Sequence, residues 1–160
     1  MTFAVKRLAG DQVQAVLALV WETYLRFEAP GDDPEGPATF RELIIDNETY
    51  RENCRTGVNR MWGAYTQESQ PQLAAVMVMK GESHVSLVYT RGAFHRQGAA
   101  SAIFRQLTAD VRRENPQVEQ LTLNASAFGK PFYLHLGFAV AGPERVNRGI
   151  HTTPMTYSLR

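Results

Sequence analysis

Between Arg91 and Ser101 the sequence reads RGAFHRQGAAS. Arg91, His95 and Arg96 stand just ahead of four of the smallest side chains, Gly98, Ala99, Ala100 and Ser101. There an apolar run of strand-forming residues (SLVYT) gives way to a helical one (AIFRQL). The N–H groups that open a helix have no intrahelical partners and carry the positive end of its dipole, so such a junction is a ready anion site. Small side chains let the anion reach the backbone, and the three basic residues add charge beside it. The chemistry this suits is the cradling of a diphosphate. A packing reading stands beside it, in which Gly98 and the alanines only let helix and sheet approach closely.

Two common phosphate loops are excluded. No Gly-Lys-Ser/Thr triplet completes a P-loop, and no G-x-G-x-x-G follows a strand as a dinucleotide fingerprint would. Among other residues suited to chemistry, His84 opens the run HVSLVYT, and alternation places it on one face with Ser86. Glu28, Asp32, Asp33 and Glu35 make FEAPGDDPEGPATF acidic throughout, which suits a cationic partner or a solvated loop. His135 and His151 have no partner at ligand spacing, so no metal site is read. Cys54 stands alone, which excludes an internal disulfide and a cysteine zinc site.

The elements that must hold these residues follow from periodicity. Residues 2–8 alternate as a strand. Asp11 is placed to cap a helix whose apolar residues Val13, Val16, Leu17, Val20, Tyr24 and Phe27 recur at helical steps, ending near Ala29-Pro30-Gly31. A second helical segment spans 37–46, and 47–57 allows a short helix. NRMWGAYTQ, PQLAAVMVMK and HVSLVYT are three strands joined by turns at ESQP and KGES. A helix over 98–114 follows, with Ala100, Ile103, Phe104, Leu107 and Val111 on one face. Then come a strand at 118–124, a short helix in FGKPFYLHLG with Pro131 early in it, and two strands in FAVAG and IHTTPMTYSL. The order βαα-βββ-α-β-α-ββ describes one α/β (α+β) domain over residues 1–160, with a mostly antiparallel sheet.

At 160 residues, 44% hydrophobic and 21% charged, the chain is a globular domain able to bury a core. A net charge of +1 argues against nucleic acid as the partner. No apolar run reaches the roughly 18 residues of a membrane span, and MTFAVKRLAGDQ lacks a signal-peptide core. The expected setting is reduced and cytoplasmic, without membrane attachment.

HRQGAA resembles the acetyl-CoA pyrophosphate motif of the GNAT superfamily of N-acetyltransferases, [RQ]-x-x-G-x-[GA]. Gly98 and Ala100 match the small positions, and His95 departs from the usual arginine or glutamine. LTLNASAFGKPFYLHLGF resembles that family's later segment through Phe132-Tyr133 and Gly137-Phe138, and NRGIHTTPMTYSL is similar to the tail of uncharacterised bacterial members. The likeness covers roughly residues 2–158 and is weakest over 28–58, the region that varies with the acceptor.

The resemblance implies a sheet splayed between its fourth and fifth strands, with the pantetheine arm of acetyl-CoA in the gap. Backbone groups of Val88, Tyr89 and Thr90 would pair with the arm as an added strand does. His95, Arg96, Gln97, Gly98, Ala99, Ala100 and Ser101 would hold the diphosphate; Asn124, at the end of the neighbouring strand, would be a further contact beside the arm, and Phe132 would also touch the cofactor. Tyr133 matches the family tyrosine that approaches the cofactor sulfur, where a phenol can protonate a departing thiolate; packing is its alternative role. The base for the amine is His84 or Glu28. The implied activity is acetyl transfer from acetyl-CoA to a primary amine of a small molecule by direct attack in a ternary complex. A longer acyl donor, a protein amine, or a non-catalytic acyl-CoA-binding module remain open, and the family's frequent dimers are compatible with a homodimer.

Overall fold

The computed structural model describes residues 2–160. β1 (Phe3–Leu8) is followed by a 3-10 turn and α1 (Val13–Thr23), which runs on through a π-helical turn, Tyr24–Glu28, and a 3-10 turn, Ala29–Gly31. α2 (Gly36–Phe40) is likewise prolonged by a π-helical turn, Arg41–Ile45, and precedes α3 (Glu48–Thr56). Next come β2 (Asn59–Thr66), β3 (Leu73–Lys80) and β4 (His84–Thr90), then α4 (Ala99–Glu114), β5 (Gln120–Ala125) and α5 (Lys130–Leu136). β6 (Ala139–Val140), β7 (Arg145–Asn147) and β8 (Ile150–Ser158) complete the chain. Among the described residues no helix is long and apolar enough to cross a membrane.

The strands form one sheet in the order β1-β2-β3-β4-β5-β8-β6, with β7 paired to β8. Every pairing is antiparallel except β4 with β5. That parallel pair has a single register position, His84 opposite Thr122, beside a bond from the Thr122 N–H to the Ser83 carbonyl at 2.9 Å. Beyond it the strands part, as the splayed sheet implied by the resemblance requires.

β3 explains the layering. Its run LAAVMVMK is buried on both faces. Val76 and Val78 pack with Leu17, Val20 and Tyr50 on the α1 and α3 side, while Met77 and Met79 pack with Ile103, Leu107 and Leu121 on the α4 side. Burying each large apolar side chain contributes on the order of 1.5–3 kcal/mol, so helices are held to both faces of the strands that carry the site.

One local reading is corrected, one is borne out and one strand is added. Asp11 caps no helix: it lies in the 3-10 turn Gly10–Gln12, and α1 starts at Val13 without a side-chain cap. Residues 48–56 are helical because Asn47 Oδ1 accepts the Tyr50 N–H at 2.8 Å, and Gly57, at φ 87°, turns the chain out. β7 is a strand that its three residues were too short to announce.

Candidate active site

The loop expected to bind an anion is shaped by backbone geometry. A 3-10 turn covers Gly92–Phe94, and Arg96 and Gly98 then adopt left-handed conformations at φ 60° and 88°. A Cβ on Gly98 would meet nothing within 4 Å, so its dihedral angle rather than crowding calls for glycine. No side chain caps the first turn of α4. Gly98, Ala99, Ala100 and Ser101 line a groove of about 690 Å³. Ala99 is buried in the core, at 2% exposure, and Ala100 packs against the same cluster while partly exposed.

The charges expected around this turn are arranged differently. Arg91 points back, with Nε on the Leu73 carbonyl at 2.9 Å and Nη1 3.2 Å from Glu22. Gln97 returns to the Ala93 carbonyl at 3.0 Å. His95 Nε2 donates to the Thr90 carbonyl at 2.7 Å, and its ring lies 4.4 Å from that of Phe27 and 5.9 Å from that of Phe128. His95 and Arg96 line the groove, whereas Arg91 and Gln97 do not.

The opposite walls come from the two parted strands. Val88, Tyr89 and Thr90 of β4 face Phe128, Phe132 and Tyr133, which follow β5. A β-bulge precedes the β4 segment: Leu87 pairs with Val78 and Val85 with Met79, leaving Ser86 over. Ser86 lies 2.6 Å from the Tyr50 hydroxyl, on the side where Leu87 packs, while Val88 packs toward the other face.

A second cavity, of about 150 Å³, adjoins the groove. Glu28, Val88, Tyr89 and Tyr133 line both. Tyr24, Asp32, Phe40, Asn124, Ser126 and His151 line the smaller one only. No lysine or arginine lines it. Tyr24 and Phe40 stack at 4.1 Å, and the Tyr24 hydroxyl donates to Asp32 at 2.7 Å.

Glu28 sits where the cavities join. The π-helical turn at the end of α1 rotates it toward the β5–α5 loop, and such turns recur at functional positions. One carboxylate oxygen accepts from the Tyr89 hydroxyl at 2.6 Å and the other from the Ser126 hydroxyl at 2.6 Å. Burial raises its pKa despite both donors, and the nearby Asp32 charge raises it further. Tyr133 is 7% exposed, and its pKa is raised by burial and then by the Glu28 charge. Among the described residues no group hydrogen-bonds its hydroxyl.

His84, the other expected base, is not brought to this junction. It lines neither cavity, and its Nδ1 lies 2.8 Å from Thr122 Oγ1 where β4 and β5 are still joined. Burial, then the Lys80 charge, lower its pKa. Four residues of strand, about 13 Å, separate it from Val88.

The acidic run 28–36 is divided. Asp32 accepts from Tyr24 and from the His151 backbone N–H at 3.0 Å, while Asp33 accepts from His151 Nε2 at 2.8 Å. Glu144 accepts from His151 Nδ1, also at 2.8 Å, and the two carboxylates raise the imidazole pKa to about 9. They sit on separate ring nitrogens, and among the described residues no cluster of histidine, cysteine and carboxylate side chains is arranged to hold a metal ion. Sequence reading had left His151 without a partner and had not singled out Ser126, Tyr24 or the Tyr89 side chain. Of these only Ser126 left a local trace, as a capping type shortly before Gly129-Lys130-Pro131.

A splayed sheet, an uncapped helix turn on a long groove and a tyrosine at its inner end define an acyltransferase architecture. The chain matches the family model described as an acetyltransferase (GNAT) domain over residues 28–159, and it belongs to that family of acyltransferases. No curated protein matches it in sequence. It is similar in fold to a GCN5-related N-acetyltransferase of Rhodopseudomonas palustris, 17% identical, with TM-score 0.80 and 99% of this chain and 96% of that chain covered. A PaiA N-acetyltransferase of Thermoplasma acidophilum, in complex with coenzyme A, is 11% identical with TM-score 0.78 and 99% of each chain covered. A phosphinothricin acetyltransferase of Sinorhizobium meliloti, in complex with acetyl-CoA, is 15% identical with TM-score 0.67, covering 99% of this chain and 89% of that one.

Proposed function

We propose that the protein transfers an acetyl group from acetyl-CoA to the primary amine of a small molecule, by direct attack in a ternary complex. The observation that carries this reading is the meeting of two cavities of different character at Glu28 and Tyr133. The long groove suits the donor. Uncapped N–H groups at Ala99, Ala100 and Ser101 meet the diphosphate, and the freed edge of β4 at Val88, Tyr89 and Thr90 pairs with the pantetheine amides. That two similar proteins were crystallised with coenzyme A or acetyl-CoA supports the same donor here.

The small cavity suits the acceptor. A cavity of about 150 Å³ is known to admit a benzene-sized guest, so it takes a compact group. Glu28 and Asp32 with the aromatic faces of Tyr24, Phe40 and Tyr89 attract an ammonium.

Glu28 accepts one ammonium proton, for which its raised pKa makes it a better base than an ordinary carboxylate. The freed nitrogen forms its bond to the acetyl carbon as the carbon–sulfur bond breaks. A backbone N–H of β4 meets the negative charge on the carbonyl oxygen, a contribution of order 10²–10³ in rate. Tyr133 gives its proton to the departing sulfur and regains one from the nitrogen, so no tyrosinate accumulates in a buried site that disfavours it. The products are an N-acetylamine and coenzyme A thiol, and Glu28 releases its proton to solvent. The cytoplasmic location expected from the sequence belongs to the same proposal.

Thiol release from acetyl-CoA, with a panel of alkylamines, diamines, arylalkylamines and amino acids, tests it. N-acetylated product in step with thiol is expected. Acetyl-CoA binding without thiol release from any amine points to a non-catalytic acyl-CoA module.

A further inference from the structure

We propose that Ser126 is a positioning residue: its hydroxyl ties the Glu28 carboxylate to the start of α5 and so fixes the proton acceptor against the helix that carries Tyr133. The proposal rests on the acetyl-transfer reading for its kinetic consequences and on the hydrogen bonds alone for the tie itself.

The geometry fixes the direction of the bond. Ser126 Oγ accepts the Gly129 N–H at 3.0 Å, so its single proton is directed to Glu28 Oε2 at 2.6 Å. The Lys130 N–H donates to the Ser126 carbonyl at 2.9 Å, and the Tyr133 N–H to the Gly129 carbonyl at 3.2 Å, so Ser126 is continuous with the turn beneath Tyr133. Tyr89 grips the other carboxylate oxygen from β4. Glu28, which belongs to neither bank of the parted sheet, is therefore held by both. Ser126 lines the small cavity and not the groove, so its loss falls on the acceptor side.

A hydroxyl donated to a carboxylate favours the charged form, and the Ser126 bond counts among the influences that lower the Glu28 pKa. Removing it raises that pKa further, and a base that must be ionised is then disabled up to a higher pH. The titratable and charged groups around Glu28 are Tyr24 on its own helix, Asp32 and His151 at the small cavity, Tyr89 on β4, Tyr133 on α5, and His95, Arg96 and His135 along the groove. The substitution leaves all of them in place.

The test uses the full chain with uniformly 13C-labelled glutamate, the Glu28 carboxyl resonance being assigned by its disappearance in Glu28→Gln. In Ser126→Ala that carboxyl is expected to titrate about half a pH unit or more higher, and in Ser126→Thr to return toward the native value. With the best amine of the panel, the acid limb of kcat/KM moves to higher pH in Ser126→Ala. Its kcat falls about tenfold, and its KM for acetyl-CoA stays within about twofold, since that ligand lies outside the cavity Ser126 lines. On a Glu28→Gln background, adding Ser126→Ala changes the rate by less than about twofold, because one residue acts through the other. Should Ser126→Ala not fold, Ser126→Cys, near in shape and a weaker donor, is expected to give the same shift at smaller size.

An unmoved Glu28 titration overturns the proposal. So does an equal rate loss with and without the Glu28 carboxylate, which would leave Ser126 as a helix cap only. Absence of thiol release by the native protein overturns the acetyl-transfer reading instead, and the titration still decides whether Ser126 holds Glu28.

Discussion

The surroundings of Glu28 disfavour its charge, and those of Tyr133 keep its proton in place. In the proposed mechanism they act as base and acid, and burial raises the proton affinity of both. Tyr133→Phe removes only the hydroxyl and keeps the ring packed on Phe138, 5.9 Å away. The fold and acetyl-CoA affinity are expected to persist while kcat falls at least about tenfold, measured by steady-state thiol release; an unchanged kcat removes Tyr133 from the chemistry. Tyr133 was legible because Phe-Tyr and Gly-Phe are local signals. Ser126 and the Tyr89 hydroxyl were not, because their bonds to Glu28 join residues 98 and 61 apart in the chain, where no spacing rule operates.

The β4-to-α4 junction carried the most information in the sequence, and the structure bears out its backbone while rearranging its side chains. Small residues and an uncapped first turn are present, but Arg91, Gln97 and His95 spend their polar groups on nearby carbonyls. A string of residue types cannot say which basic side chain turns back on its own loop. The bulge at Ser86 was equally hidden, since strict alternation assumes an unbroken ladder. Gly98→Ala tests the junction. A non-glycine residue at φ 88° costs about 1–2 kcal/mol. Each kcal/mol corresponds to about 2–4 °C of Tm in a chain of this size. The added methyl also enters the groove, so acetyl-CoA affinity is expected to fall by more than about tenfold, read by calorimetry. An unaltered Kd would mean that the diphosphate lies elsewhere.

Across the whole molecule, the wall of the small cavity is fastened to residues 144–151. The Asp33 N–H donates to the Gly149 carbonyl at 2.8 Å, Thr39 Oγ1 to the Arg148 carbonyl at 2.6 Å, and His151 bridges Asp33 and Glu144. Because the His151 pKa is raised, to about 9, its ion pairs contribute stability that is fully present below the unfolded value near 6.5 and lost as pH rises through 9. The Tm gap between the native chain and His151→Gln is therefore expected to be widest near pH 6 and to close at higher pH, followed by calorimetric melts across that range. A gap that stays constant with pH would assign the fastening to neutral contacts.

β8 is the last strand in sequence, yet β5, β6 and β7 all find their partner in it, whereas the ladder from β1 to β4 is complete without it. On the ribosome the first half of the sheet can close early, while the bank that bears Tyr133 waits for β8 to emerge. A message cut short ahead of Ile150 would leave three orphaned edges rather than a weakened enzyme, a flaw that proteases and chaperones recognise at once.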